Sequence, residues 1–80
     1  MKKLQTEIDM IHIDASHEYE SVMEDILLWW QLLRSGGVML GDDYQRAWPG
    51  VIKAVNEFTS KRNLTLTLSK TGTKWIVWKP

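Results

Sequence analysis

The spacing of apolar residues along this chain switches between a strand-like and a helix-like period. Residues 7–13, EIDMIHI, are rich in β-formers and end in Asp14, which predicts a largely buried strand. Residues 14–18 form a polar loop. Tyr19, Val22, Met23, Ile26, Leu27, Trp30 and Leu33 then recur at steps of three and four, which predicts an amphipathic helix over 19–33. Glu18, Glu20 and Glu24 near its start and Arg34 at its end suit the helix dipole, and Ser35-Gly36-Gly37 is expected to stop it. VMLG (38–41), bounded by glycine and by Asp42-Asp43, has the composition of a central parallel strand. Pro49 suits a first helical turn, and Val51, Ile52, Val55 and Phe58 give the apolar stripe of a helix over 49–61, closed by Lys61-Arg62-Asn63. LTLTLSK (64–70) and KWIVWKP (74–80) alternate on either side of the turn Thr71-Gly72-Thr73, as the arms of a β-hairpin do. The order β-α-β-α-β-β predicts an α/β fold with two parallel strands, joined by a right-handed crossover, and a C-terminal antiparallel hairpin.

Composition narrows the setting. Eighty residues make one small domain with a marginal core, and without cysteine no disulfide can reinforce it. The missing cysteines also fit a reducing compartment. Ten Lys and Arg balance ten Asp and Glu, so charge makes no case for nucleic acid or an anionic membrane. Lys2-Lys3 is followed by Leu4-Gln5-Thr6-Glu7 rather than an apolar run, unlike a signal peptide, and no stretch approaches the roughly 18 apolar residues of a spanning helix. A cytoplasmic protein is expected. Five tryptophans are many for so small a core, and some are expected at a subunit interface or a ligand pocket. Leu28 and Trp29 lie off the main stripe of the first helix, which points to a partner surface there.

The candidate chemistry lies at two strand ends. In open α/β sheets, ligands sit outside the carboxyl ends of the strands. Asp14 ends the first strand and Asp42-Asp43 ends the second, and neighbouring strands run about 4.8 Å apart. Crowded carboxylates need a cation, a raised pKa or a basic partner, and a hard cation such as Mg²⁺ takes carboxylate oxygens. The blander alternative is that these are loop acids or helix caps. His17, in the loop after Asp14, could act as a general base, a metal ligand, a substrate contact or a solvated loop residue. His12, inside the first strand, is expected as a hydrogen-bonded core histidine, and the Tyr19 ring is expected to pack. Tyr44, Arg46 and Trp48 follow the acid pair and could shape a pocket, with Trp48 the better candidate for a hydrophobic staple at the entry to the second helix. Gly36-Gly37 follows a helix and precedes a strand, the reverse of a phosphate-cradling loop.

Three segments, DMIHIDASHEYESV with a further aspartate, LLRSGGVMLGDD, and WPGV followed by AV and F, together resemble the C-terminal half of class I S-adenosylmethionine-dependent methyltransferases. The branch they resemble is the metal-dependent O-methyltransferase-like group with a D-x-x-H-x-Y-E segment. The resemblance covers nearly the whole chain, as a single domain over 1–80. It implies that residues 7–14 and 37–42 are strands four and five of a seven-stranded Rossmann-like sheet, and that the last two strands are the antiparallel pair closing it. It further implies Mg²⁺ or a similar divalent cation on Asp14, Asp42 and Asp43, a catalytic base at His17, and cofactor contacts from Asp14, Ala15 and Ser16 to the methionine end of S-adenosylmethionine. The implied reaction is O-methyl transfer to a small hydroxylated acceptor. The family's glycine-rich cofactor loop and ribose-binding acid are not in these 80 residues, which are therefore not expected to be active alone. A homo-oligomer or a separate N-terminal half is the expected partner, and the first strand would otherwise be an exposed edge. The alternative is a non-catalytic oligomeric module that kept the sheet without the cofactor site. A phosphoryl-transfer receiver fits less well, because its acid pair usually precedes the single acid.

Overall fold

The computed structural model describes residues 8–14 and 17–80. Residues 1–7, which include Lys2, Lys3 and the Glu7 start of the first expected strand, and Ala15 and Ser16 lie outside the described residues. The elements are β1 (Ile8–Ile13), α1 (Tyr19–Leu32), β2 (Leu33–Gly41), α2 (Pro49–Lys61), β3 (Thr67–Leu68) and β4 (Trp75–Trp78). They form one α/β sheet in the order β1-β2-β4-β3. β1 and β2 are parallel, while β4 runs antiparallel to both β2 and β3. The expected class and strand directions are those observed. No helix among the described residues is long and apolar enough to cross a membrane.

Alternation along the strands decides which face is covered. Ile11 and Ile13 from β1, Met39 from β2, and Trp75 and Val77 from β4 are buried with Val22 and Ile26 of α1 and Val51, Ala54, Val55 and Phe58 of α2. The opposite face carries the intervening residues. Met10 pairs across to Val38, and Val38 to Trp78, yet Met10 is 63% and Trp78 61% exposed. β1 is thus only half buried, and the expectation of a largely buried strand is corrected. His12 is corrected for the same reason. It alternates with Ile11 and Ile13 onto the uncovered face, where its side chain is 43% exposed.

Two other boundaries differ from expectation. Ser35-Gly36-Gly37 does not stop a helix. α1 ends at Leu32, Leu33 is already extended (φ −78°, ψ 132°), and β2 begins there. The Leu33 N–H bonds the carbonyls of Trp29 and Trp30 at the helix end, and Lys79 adds to this cap, donating from Nζ to the carbonyls of Trp30 (2.8 Å) and Leu33 (2.7 Å). Gly37 is instead a packing position, since a Cβ there would sit 2.7 Å from Leu33 Cδ1 and 2.8 Å from the Asp9 carbonyl. The alternating run 64–70 pairs only at Thr67 and Leu68, and among the described residues β3 is the last strand of the sheet. α2 matches its expected span of 49–61.

Candidate functional site

The carboxyl ends of β1 and β2 lie side by side, with Ile13 paired to Gly41. Asp14, His17, Asp42 and Asp43 all line one small cavity there, together with Ile13, Val22, Val51 and Trp75. Its volume of about 20 Å³ is that of a single water site. The four acid and histidine candidates therefore come together, whereas Tyr44, whose hydroxyl donates to Asn56, and Arg46 do not line this cavity. Cofactor contacts at Ala15 and Ser16 fall outside the described residues.

The adjacent aspartates take different partners. Asp42 accepts from His12 Nε2 at 2.9 Å on the uncovered side of the sheet, and it pairs with Lys74. Lys74 reaches it because Gly41 pairs with Trp75, which places the preceding lysine opposite Asp42. The hydrogen bond from Lys74 is the main cause holding the Asp42 carboxyl below the usual aspartate range. His12 adds to the effect and partial burial opposes it.

Asp43 turns the other way. Its φ of 63° is in the left-handed region, uncommon for a residue with a Cβ and concentrated at functional sites. Turn bonds hold it there: Tyr44 N donates to the Thr73 carbonyl (2.9 Å) and Gln45 N to the Asp43 carbonyl (2.9 Å). The Asp43 carboxylate accepts from His17 Nε2 at 2.7 Å. An ionised carboxylate only accepts, so Nε2 carries a hydrogen, and in the neutral ring the lone pair is on Nδ1.

Trp48 completes the enclosure of His17. The two rings stack, with centroids 3.7 Å apart and planes 16° from parallel. Trp48 remains 37% exposed, so it lies over the imidazole rather than sealing the helix entry as a staple. Below the stack, α2 approaches the His17 loop closely through Gly50. A Cβ at Gly50 would lie 2.6 Å from the His17 carbonyl oxygen and 2.7 Å from the Tyr19 amide nitrogen. On the far side of α1, the Tyr19 ring packs against the core while its hydroxyl donates to Glu57. That bond is the main cause of both a raised Tyr19 phenol and a lowered Glu57 carboxyl, the latter helped by Lys61.

The donor set does not suit a resident cation as it is arranged. Among the described residues, no group of three or more His, Asp or Glu side chains is placed to hold a metal ion. The physical reason is visible in the pairing: Lys74 and His12 engage Asp42, and His17 engages Asp43. The crowding of acids is relieved by basic partners. Sequence reasoning missed Lys74 and Gly50. The alternation of KWIVWKP held a signal for Lys74, but only once β4 is known to pair with β2.

Comparison with known proteins agrees with this architecture. The profile of a family described as a methyltransferase domain matches residues 1–44, which carry β1, α1, β2 and both aspartates of the pair. An uncharacterized protein of Acanthamoeba polyphaga mimivirus is 38% identical over 55 residues, 66% of this chain and 25% of that protein. The chain thus spans about a quarter of that relative's length. With more than half of its residues matched by the family profile, this chain belongs to the methyltransferase-domain family.

Proposed function

We propose that the chain is the acceptor-side, C-terminal half of an S-adenosylmethionine-dependent O-methyltransferase, with His17 as its general base. The observation carrying this reading is the His17 Nε2–Asp43 bond of 2.7 Å at the carboxyl end of a parallel strand pair. A carboxylate on one imidazole nitrogen fixes the tautomer and leaves the other nitrogen basic. His17 Nδ1 then receives the proton of the acceptor hydroxyl as its oxygen forms the new bond to carbon. Asp43 stabilises the imidazolium that results. S-adenosylmethionine, when bound, would supply the electrophilic methyl group and take the electron pair of the broken carbon–sulfur bond onto sulfur, leaving proton removal to His17 and Asp43.

The chain fits only part of that cofactor. Asp14 is exposed at the end of β1, where its carboxylate suits the ammonium of the methionine end. The cavity beside it, at about 20 Å³, is far below the roughly 300 Å³ at which small-molecule pockets begin. The rest of the cofactor site would come from across the open edge of β1, where a groove of about 400 Å³ runs past Met10, His12, Asp14 and Trp29. A parallel strand from a further part of the enzyme, or from another chain, would cover it. Lys74 already gives Asp42 its positive neighbour, so the reading rests on His17 rather than on Mg²⁺.

The test is transfer of labelled methyl from S-adenosylmethionine to a panel of sugar and catechol acceptors, using the full gene product that carries these 80 residues. His17→Gln and Asp43→Asn should each lower the turnover rate, His17→Gln by about 10²–10⁴-fold as for loss of a general base. Unchanged turnover in His17→Gln would sink the assignment.

A further inference from the structure

The bond to Asp43 does not by itself define where His17 Nδ1 points. One hydrogen bond holds a single ring nitrogen and only loosely limits rotation of the imidazole about Cβ–Cγ, a broad torsion in histidine. The ring plane must be set by something else, and the only ring stacked on it among the described residues is Trp48, at 3.7 Å and 16°. We propose that Trp48 is a positioning residue: it fixes the plane of the His17 imidazole, so that Asp43 and Trp48 together aim Nδ1 at the acceptor. This rests on the reading of His17 as the base.

The loop is built to hold both contacts at once. Asp43 opens the 43–48 segment in its left-handed conformation, and Trp48 closes it. Trp48 N donates to the Gln45 carbonyl at 2.9 Å, and the Trp48 carbonyl accepts from Val51 N at 3.0 Å as α2 begins. The indole therefore starts from backbone anchored at both sides. Gly50, two residues on, lets α2 close on the His17 loop from below. His17 is held between the two ends of one short loop, by charge at one end and by an aromatic face at the other.

The experiment reads the free chain, without cofactor or acceptor, so it can fail while the general-base reading survives, and the reverse. In ¹⁵N- and ¹³C-labelled protein, the His17 ring protons should show upfield ring-current shifts and nuclear Overhauser contacts to the Trp48 indole. The imidazole nitrogens should show one tautomer, with the hydrogen on Nε2. Trp48→Phe, which keeps a stacking face, should retain both signatures. Trp48→Leu should lose the ring-current shift and give averaged imidazole nitrogen shifts, while core amide shifts stay in place. Wild-type protein lacking the His17–Trp48 contacts would overturn the proposal. So would Trp48→Leu with His17 nitrogen shifts unchanged. The wild-type measurement decides the matter even if Trp48→Leu fails to fold. In the full enzyme, Trp48→Leu should lower kcat with little change in KM for the acceptor, and Trp48→Phe should recover most of it.

Discussion

Replacing Gly50 with alanine sets two opposed effects against each other, and the structure decides which wins. Gly50 is the second residue of α2. Helix propensity alone makes Gly→Ala stabilising, by about 1 kcal/mol in a helix interior and less in a first turn. Against this, the new methyl would lie 2.6 Å from the His17 carbonyl oxygen and 2.7 Å from the Tyr19 amide nitrogen, well inside van der Waals contact. Both are backbone atoms, so neither can move aside as a side-chain tip would. Either α2 lifts away from the loop or the loop shifts, and overpacking of this kind costs about 1–3 kcal/mol. The net expectation is a loss of about 0.5–2.5 kcal/mol after a first-turn propensity gain of about 0.5 kcal/mol is deducted. Urea unfolding followed by tryptophan fluorescence reads this directly. With a slope near 1 kcal/mol per molar for so small a chain, the midpoint should fall by about 0.5–2.5 M with the slope unchanged. A midpoint that rises instead would mean that helix propensity governs Gly50, and that the close approach of α2 to the His17 loop does not exist in solution.

Three other perturbations test separate parts of the fold. The Asp42 carboxyl is held low chiefly by Lys74, so its contribution to stability is present above the ordinary aspartate pKa and is lost as pH falls through the depressed folded value. Lys74→Met should therefore move acid unfolding, followed by circular dichroism, to higher pH. Because both side chains are substantially exposed, the loss at neutral pH should stay below about 1 kcal/mol. Lys79→Met removes two charge-assisted bonds to the end of α1 and should cost about 1.5–3 kcal/mol in urea unfolding; a change under 0.5 kcal/mol, roughly the level of an ordinary surface substitution, would show that water caps the helix equally well. The open edge of β1 should make the chain self-associate, as exposed edges do. Light scattering should show oligomers at high concentration and a lower mass for Met10→Lys, whereas a clean wild-type monomer would refute the idea.

How much was legible in the sequence depended on the range of the interactions involved. α2 could be read to the residue because Pro49 and the stripe of Val51, Val55 and Phe58 are local signals. The α/β order and strand directions followed from the same local periods. The exposure of His12 and Met10 did not, because the apolar run IDMIHI looks alike whether one face of a strand is covered or both. Gly36-Gly37 carries the signature of a helix stop, but its actual constraint is the nearness of Leu33 and the Asp9 carbonyl. At the site, the grouping of Asp14, His17, Asp42 and Asp43 was foreseeable from strand-end geometry, and they do share one cavity. What the acids do with one another was not. Their pairing depends on Lys74, 32 positions from Asp42, and on β4 entering the sheet beside β2 rather than at its edge.

That placement of β4 has a consequence for how the protein is made. Synthesis proceeds from the N-terminus, and segments fold as they emerge. Within this segment β1, α1 and β2 are made before β4, so β2 gains its β4 neighbour only with Trp75–Trp78. The carbonyls of Trp30 and Leu33, at the end of α1 and the start of β2, lack the Lys79 ammonium until it is joined. Asp42, too, has to wait for its lysine. While the residues between β2 and β4 are being added, the segment therefore holds a half-built sheet whose centre closes last. Such long-range closure slows folding and leaves the interval in which chaperones or a partner strand would have the readiest access.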